Sequence, residues 1–236
     1  MEPIVFIPGL LCTEILFAPQ IVAFSDRPIL VADHRRHETI AEIADSILDT
    51  APESFALAGL SMGGYIAMEI MRKAPERITR LALLDTNSRP DTADQIKRRK
   101  FLIKLTVEKG FGKIPHLLYP GFVHADLEND EDMKATVVEM ATETGGEAFI
   151  RQIKAVIGRQ DSRPQLNDIK CPTLVLVGDG DTLTPPSRAQ EIHELIPGSK
   201  LAVIEGCGHL ATLEAPSAVT AELKKWMDNS SMHSPR

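Results

Sequence analysis

The chain is poor in aromatic residues and in cysteine. Aromatics make up 5% of 236 residues, with one tryptophan and two tyrosines. Between Thr86 and Ile169 they are Phe101, Phe111, Tyr119, Phe122 and Phe149, too few for an extended aromatic clamp around a ligand. The three cysteines, Cys12, Cys171 and Cys207, are odd in number and far apart. That excludes a disulfide framework and metal-type spacing, and the expected setting is reduced and cytosolic. There is no basic surplus. With 26 Lys and Arg against 33 Asp and Glu, the net charge is −7. Such a chain has no excess cation to neutralise phosphates, so nucleic acid is excluded as the main partner. No apolar run approaches the roughly 18 residues needed to span a bilayer, so no membrane association is expected. The opening residues Met1 to Gly9 carry neither a basic segment nor a long apolar one, and no signal peptide is expected. Internal repeats and low-complexity tracts are missing too.

What remains is ordinary globular composition, 43% apolar and 25% charged, at a length that fits one α/β domain with an insertion. The chain is organised around Phe55 to Arg72. Phe55-Ala56-Leu57-Ala58 reads as a buried strand. Gly59-Leu60-Ser61-Met62-Gly63-Gly64 reads as a sharp turn, and Tyr65, Ile66, Met68, Ile70 and Met71 continue with helical spacing. A serine between two glycines, on a strand-to-helix turn, is the context of a nucleophile elbow. The glycines remove side chains that would collide with the flanking elements. The serine is left above a helix N-terminus, where free N–H groups favour developing negative charge.

Further strands are expected at Ile4–Ile7, Pro28–Ala32 and Ile78–Leu84, with a helix from His37 to Thr50. This alternation predicts a mostly parallel sheet with helices on both faces. Residues 87–169 break the pattern and read as a helical cap, with helices near Thr92–Glu108, Gly112–Tyr119, Asp130–Thr142 and Gly146–Ile157. The basic run Lys97-Arg98-Arg99-Lys100 is expected on the wet face of a cap helix. The alternation returns with strands Thr173–Val177 and Lys200–Ile204, a helix from about Ser187 to Leu195, and a last helix from Pro216 to Met227. The core is therefore expected in two parts, 1–86 and 170–228, followed by a flexible tail, 229–236.

In open α/β sheets, reactive residues gather at the carboxyl ends of strands. The polar residues there are Asp33, Ser61, Asp85, Asp179, Asp181 and His209. His209 is the one histidine in a strand-end loop. Four blocks, Phe6-Ile7-Pro8-Gly9-Leu10, Gly59 to Gly64, Gly178 to Asp181 with Pro185, and Gly208-His209-Leu210 with Glu214 and Pro216, together resemble the α/β-hydrolase superfamily. The likeness is to its branch of esterases, lactonases and carbon–carbon bond hydrolases with a helical cap, and it runs from Ile4 to about Met227.

The resemblance implies an α/β-hydrolase fold with a cap inserted after the strand ending near Asp85. It implies Ser61 as nucleophile, His209 as general base and Asp181 as the acid that orients it. Backbone N–H groups of Leu10 and Met62 would form the oxyanion hole. Pro8 stands where most relatives have histidine. Asp179 and Asp85 stay open as alternative acids, Asp85 otherwise as a helix cap. His34 and His37 read as loop and cap positions, and His116 and His124 as surface positions on the cap. Cys12 and Cys207 read as small packing residues near the site. No metal or organic cofactor is implied. The expected activity is hydrolysis of a small ester, thioester or lactone. The same three residues also serve carbon–carbon bond hydrolysis, elimination or perhydrolysis among such relatives, and a non-catalytic small-molecule receptor is a further alternative. Basic residues such as Arg98 or Arg151 facing the pocket would favour an acidic substrate.

Overall fold

The computed structural model describes residues 1–228, and the expected tail at 229–236 lies outside the described residues. The first half alternates: β1 (Ile4–Ile7), α1 (Ala18–Ala23), β2 (Ile29–Val31), α2 (Ile40–Thr50), β3 (Phe55–Leu60), α3 (Met62–Lys73) and β4 (Ile78–Leu84). Four cap helices follow: α4 (Ala93–Lys109), α5 (Ile114–Leu118), α6 (Glu131–Thr144) and α7 (Gly146–Ile157). The chain returns through α8 (Arg163–Leu166), β5 (Thr173–Gly178), α9 (Pro186–Leu195), β6 (Lys200–Ile204), α10 (Ala211–Glu214) and α11 (Pro216–Asp228). The short helices α1, α8 and α10 have too few residues to show a period in sequence.

The strands form one sheet in the order β2-β1-β3-β4-β5-β6, and every pairing is parallel. The order follows from the apolar runs. Alternate residues of β1 feed opposite faces: Val5 and Ile7 join Ile43, Ile66 and Ile192 on one side, while Ile4 and Phe6 join Phe17, Leu223 and Trp226 on the other. A strand buried on both faces needs helices on both, which is what a parallel sheet supplies. The cap has a smaller apolar cluster of its own, in which Leu102, Ile114, Ala141, Phe149 and Ile153 close over Leu11 of the β1 loop.

Local signals set the cap helices. Thr92 and Gln95 form a reciprocal capping box at the start of α4, and Asp130 accepts from Met133 N–H at the start of α6. Gly145, at φ 78°, turns the chain between α6 and α7.

The order of connections also places the site. From β1 the chain moves outward to β2, then returns to the other side of β1 as β3. The loops after β1 and β3 therefore diverge, and the crevice between them is the switch point of the sheet. Those loops carry Leu10 and Ser61.

The elbow demands the tightest packing. A Cβ on Gly63 would collide with the carbonyl oxygen of Ile7, and one on Gly59 with the backbone of Gly63. Because the obstacle is backbone in a central strand, Gly63→Ala is expected to destabilise the fold by about 3 kcal/mol, the upper end of overpacking costs. Urea unfolding of the purified variant against the wild-type protein measures this.

Candidate active site

Ser61 sits between β3 and α3 at φ 56° and ψ −114°, a conformation that L-residues avoid. Backbone and side-chain hydrogen bonds hold it there. Its N–H donates to Leu84 O at 3.0 Å, its carbonyl accepts from Gly64 N–H at 2.9 Å, and the Thr86 hydroxyl donates to that same carbonyl at 2.8 Å. The side chain is thereby held up into the crevice.

Loops from distant parts of the chain meet it. His209 Nε2 lies 2.8 Å from Ser61 Oγ, and His209 Nδ1 lies 2.8 Å from Asp181 Oδ2. With the carboxylate accepting at Nδ1–H, Nε2 is left as the acceptor for the Ser61 hydroxyl. Asp181 also accepts from the N–H groups of Leu183 and Thr184 and from the Thr184 hydroxyl, at 2.8, 2.9 and 2.6 Å. Burial by itself would raise the carboxyl pKa. The neighbouring His209, with the hydrogen bonds it and Thr184 donate, outweighs burial and brings Asp181 down to about 2. A hydroxyl, an imidazole and a fixed anion in this order can withdraw a proton from the hydroxyl as it attacks a carbonyl.

Glu214 of α10 fixes the histidine loop. It accepts from the N–H groups of Gly208 and Leu210 on either side of His209, both at 2.9 Å, and from His124 N–H of the cap at 2.8 Å. Asp179 accepts from Cys207 N–H at 3.2 Å, tying the acid loop to the histidine loop, while Asp181 takes the place at His209 Nδ1.

Asp85 has a different role from either one open in sequence. It caps no helix, since α4 begins at Ala93 under Thr92. Its Oδ1 accepts from Gly178 N–H at 2.9 Å, and its Oδ2 is buried without a partner. Burial, reinforced by the negative charge of Asp181, pushes its pKa well above the usual carboxylate range. The pKa values of two neighbouring carboxyls are thus pushed in opposite directions.

The β1 loop brings Leu10 beside Ser61, with Gly9 so close that an added Cβ would stand 3.4 Å from Ser61 Cβ. Leu10 and Met62 line the same cavity as Ser61 and His209, and among the described residues neither backbone N–H carries a hydrogen bond. The loop is braced by residues that the sequence did not single out. Leu11 N–H, at φ 61°, donates to Gln152 Oε1 of α7 at 3.1 Å. His34 Nε2 donates to Gly9 O at 2.9 Å, with Gln152 Nε2 3.3 Å from the same ring nitrogen. His34 lies in a loop, as expected, but is buried there as a brace, and burial lowers its pKa. His116 is exposed, while His124 packs on Gly180 behind the acid loop.

The cavity over Ser61 has a volume of about 140 Å³. Leu102, Leu118, Phe122, Val156, Leu183 and Leu210 give it an apolar wall. Of the basic run of α4, Lys97, Arg98 and Lys100 are exposed, as expected of a wet face, and Arg99 is half-buried; Arg98 and Arg99 also border the cavity. Arg151 instead donates to Arg35 O at 2.8 Å. Cys12 borders the cavity and Cys207 is buried behind it. Burial raises the Cys12 thiol to about 12 and holds that of Cys207 high as well, so both are packing residues and not thiolates. Among the described residues no group of three or more His, Cys, Asp or Glu side chains is placed to hold a metal ion.

Asp181→Asn is expected to lower kcat by a factor on the order of 10³ to 10⁴, as loss of the orienting anion does in such arrangements. Asp85→Asn should keep kcat within about tenfold. The two also differ in sign with pH. Asp181 has a depressed folded pKa, so its contribution to stability is present above the unfolded value of 3.8 and is lost as pH falls towards about 2. Asp85 has a raised folded pKa, so its contribution is present below 3.8 and drains as pH rises. Thermal melts should therefore move in favour of Asp85→Asn over wild type as pH rises above 3.8. For the brace, Gln152→Ala should lower kcat for p-nitrophenyl acetate about tenfold with little change in KM, because a misplaced oxyanion donor is missed only in the transition state. Steady-state kinetics separates the two parameters.

Comparison with known proteins agrees with this geometry. A curated relative, the pimeloyl-[acyl-carrier protein] methyl ester esterase of Photobacterium profundum, is 26% identical over 202 residues, covering 80% of this chain and 77% of the relative. A thermophilic esterase from Thermogutta terrifontis, solved with malate bound, superposes with a TM-score of 0.86 at 26% identity, over 96% of this chain and 89% of that one. The enol-lactonase from Burkholderia xenovorans LB400 shares the fold at a TM-score of 0.87 and 24% identity, over 96% and 91% of the two chains. The family model for the alpha/beta hydrolase fold matches residues 22–216, well over half of the chain. The chain belongs to the α/β-hydrolase family, as a capped, carboxylesterase-like serine hydrolase.

Proposed function

We propose that the protein hydrolyses small carboxylic esters, thioesters or lactones through an acyl-enzyme on Ser61. The observation that carries this reading is the continuous relay from Ser61 Oγ to His209 Nε2 and from His209 Nδ1 to Asp181, each link 2.8 Å long.

In the first half-reaction Ser61 Oγ bonds to the substrate carbonyl carbon while its proton passes to His209 Nε2. The carbonyl oxygen becomes an alkoxide, received by the unpaired N–H groups of Met62 and Leu10. Asp181, already ionised, stabilises the imidazolium without taking its proton. The tetrahedral species collapses, His209 gives its proton to the departing alkoxide or thiolate, and the acyl group stays on Ser61. A lactone would keep its leaving hydroxyl tethered. Water then repeats the sequence, its proton going to His209 and its oxygen to the acyl carbon. Ser61 recovers its proton and the carboxylic acid leaves.

The two relatives that share 26% identity are both described as esterases, which supports the reaction class. The cavity of about 140 Å³ is smaller than the roughly 300–1,000 Å³ of sites for drug-sized ligands, and this supports a short acyl group. Among the described residues no helix is long and apolar enough to cross a membrane. The three cysteines are unpaired, which supports a reducing, cytosolic setting.

A fluorophosphonate probe should label Ser61 in the wild-type protein. Ser61→Ala should abolish both labelling and p-nitrophenyl acetate turnover. Undiminished turnover by that variant would overturn the reading.

A further inference from the structure

One face of α4 looks into the cavity above Ser61. Gln95, Arg98, Arg99 and Leu102 all line it, at the spacing that places side chains on one side of a helix. A third arginine, Arg159, lines it from the segment after α7. No Asp or Glu lines the cavity, in a protein whose net charge is −7.

The three guanidinium groups are not equivalent. Arg99 and Arg159 share one carboxylate: Arg99 Nε lies 2.6 Å from Asp91 Oδ2 and Arg159 Nη1 2.7 Å from Asp91 Oδ1. Arg159 is further fixed by Arg89 O and Val156 O and lies over the Tyr65 ring, 4.4 Å from its centroid. The Asp91 side chain is fully buried and both of its oxygens are used. Arg98 has no ion pair and no hydrogen bond among the described residues. Three cations against one anion leave the mouth of the cavity positive, and the free fork belongs to Arg98.

From this we infer that the substrate carries a carboxylate at the end remote from the scissile bond, and that Arg98 receives it. The inference rests on the hydrolase reading above and names the substrate class for it: half-esters of short dicarboxylic acids, or lactones bearing a carboxylate. The planar fork of arginine fits the two oxygens of a carboxylate. The apolar wall formed by Leu102, Leu118 and Phe122 suits the methylene spacer between carboxylate and ester. Arg99 and Arg159, locked on Asp91, add a fixed positive field and confine the tail to the Arg98 side.

The test compares monomethyl glutarate with dimethyl glutarate, by methanol release, for wild type, Arg98→Gln and Lys97→Gln. Lys97 is a solvent-facing neighbour on the same helix and controls for general charge. The wild-type protein should prefer the half-ester. Arg98→Gln should lower the ratio of kcat/KM for half-ester over diester by about tenfold or more, the usual worth of a charge-assisted hydrogen bond, mainly through KM. Lys97→Gln should leave the ratio unchanged. A binding arm removes the chemistry: calorimetric titration of monomethyl glutarate into Ser61→Ala should show a dissociation constant raised about tenfold when Arg98→Gln is added. An unchanged ratio and an unchanged dissociation constant would overturn the carboxylate subsite while leaving the hydrolase reading in place. Binding that depends on Arg98, without turnover of either ester by the wild-type protein, would keep the subsite and overturn the hydrolase reading.

Discussion

The backbone-to-backbone approach at the elbow sets everything else in the molecule. The Gly63 backbone lies against the Ile7 carbonyl, and the Gly59 backbone against that of Gly63. No side chain fits in either gap. Because of this contact, α3 starts directly beside the end of β1, and the Ser61 hydroxyl and the β1 loop share one crevice. The left-handed conformation of Ser61 costs on the order of 1–3 kcal/mol. Strand pairing below it and the Thr86 hydroxyl bond beside it offset that cost. A nucleophile on a relaxed turn would fold more easily but would not be held against the donors of the neighbouring loop.

Electrostatics then separates carboxyl groups that composition alone would treat alike. Asp181 and Asp85 follow adjacent strands, β5 and β4, and both are buried. Asp181 has an imidazole, a hydroxyl and two N–H donors, so it remains an anion. Asp85 is buried beside the negative charge of Asp181 and accepts from Gly178 N–H, and its pKa is held well above the usual carboxylate range. A second anion beside Asp181 would compete for the charge of the imidazolium. A neutral Asp85 fills the same space and still holds Gly178 in place at the base of the acid loop.

The elbow, the alternating core and the cap helices were legible because their signals are local: two glycines two residues either side of Ser61, apolar runs of strand length, Thr92 three residues before Gln95. Glu214 was visible as part of a motif, though not as the acceptor that grips both neighbours of His209. The brace on the β1 loop was not legible. Gln152 meets Leu11 across 141 positions and His34 across 118, and neither residue has a local pattern that marks it. A glutamine on a helix reads as solvated, yet Gln152 is fully buried. The one available signal was its place on the apolar stripe of α7, between Phe149 and Ile153. The basic run of α4 was legible as a wet face for Lys97, Arg98 and Lys100, all exposed, but not as the rim of the cavity. A helix turns about 100° per residue, so such a run points in several directions, and Arg98 and Arg99 reach the cavity.

The cap is therefore more than a cover. Through Gln152 it holds Leu11, the residue beside Leu10, and through α4 it lines the cavity. Transition-state stabilisation and substrate choice consequently depend on the same inserted segment. His34 adds a fixed point from the core by donating to Gly9, so the loop is clamped from both sides. Loops of the core carry the hydroxyl, imidazole and carboxylate, and His124 of the cap adds one bond to the Glu214 that fixes the histidine loop. In the proposed mechanism the second oxyanion donor is Leu10, next to the residue that Gln152 holds, and this couples that chemistry to the packing of the cap on the β1 loop.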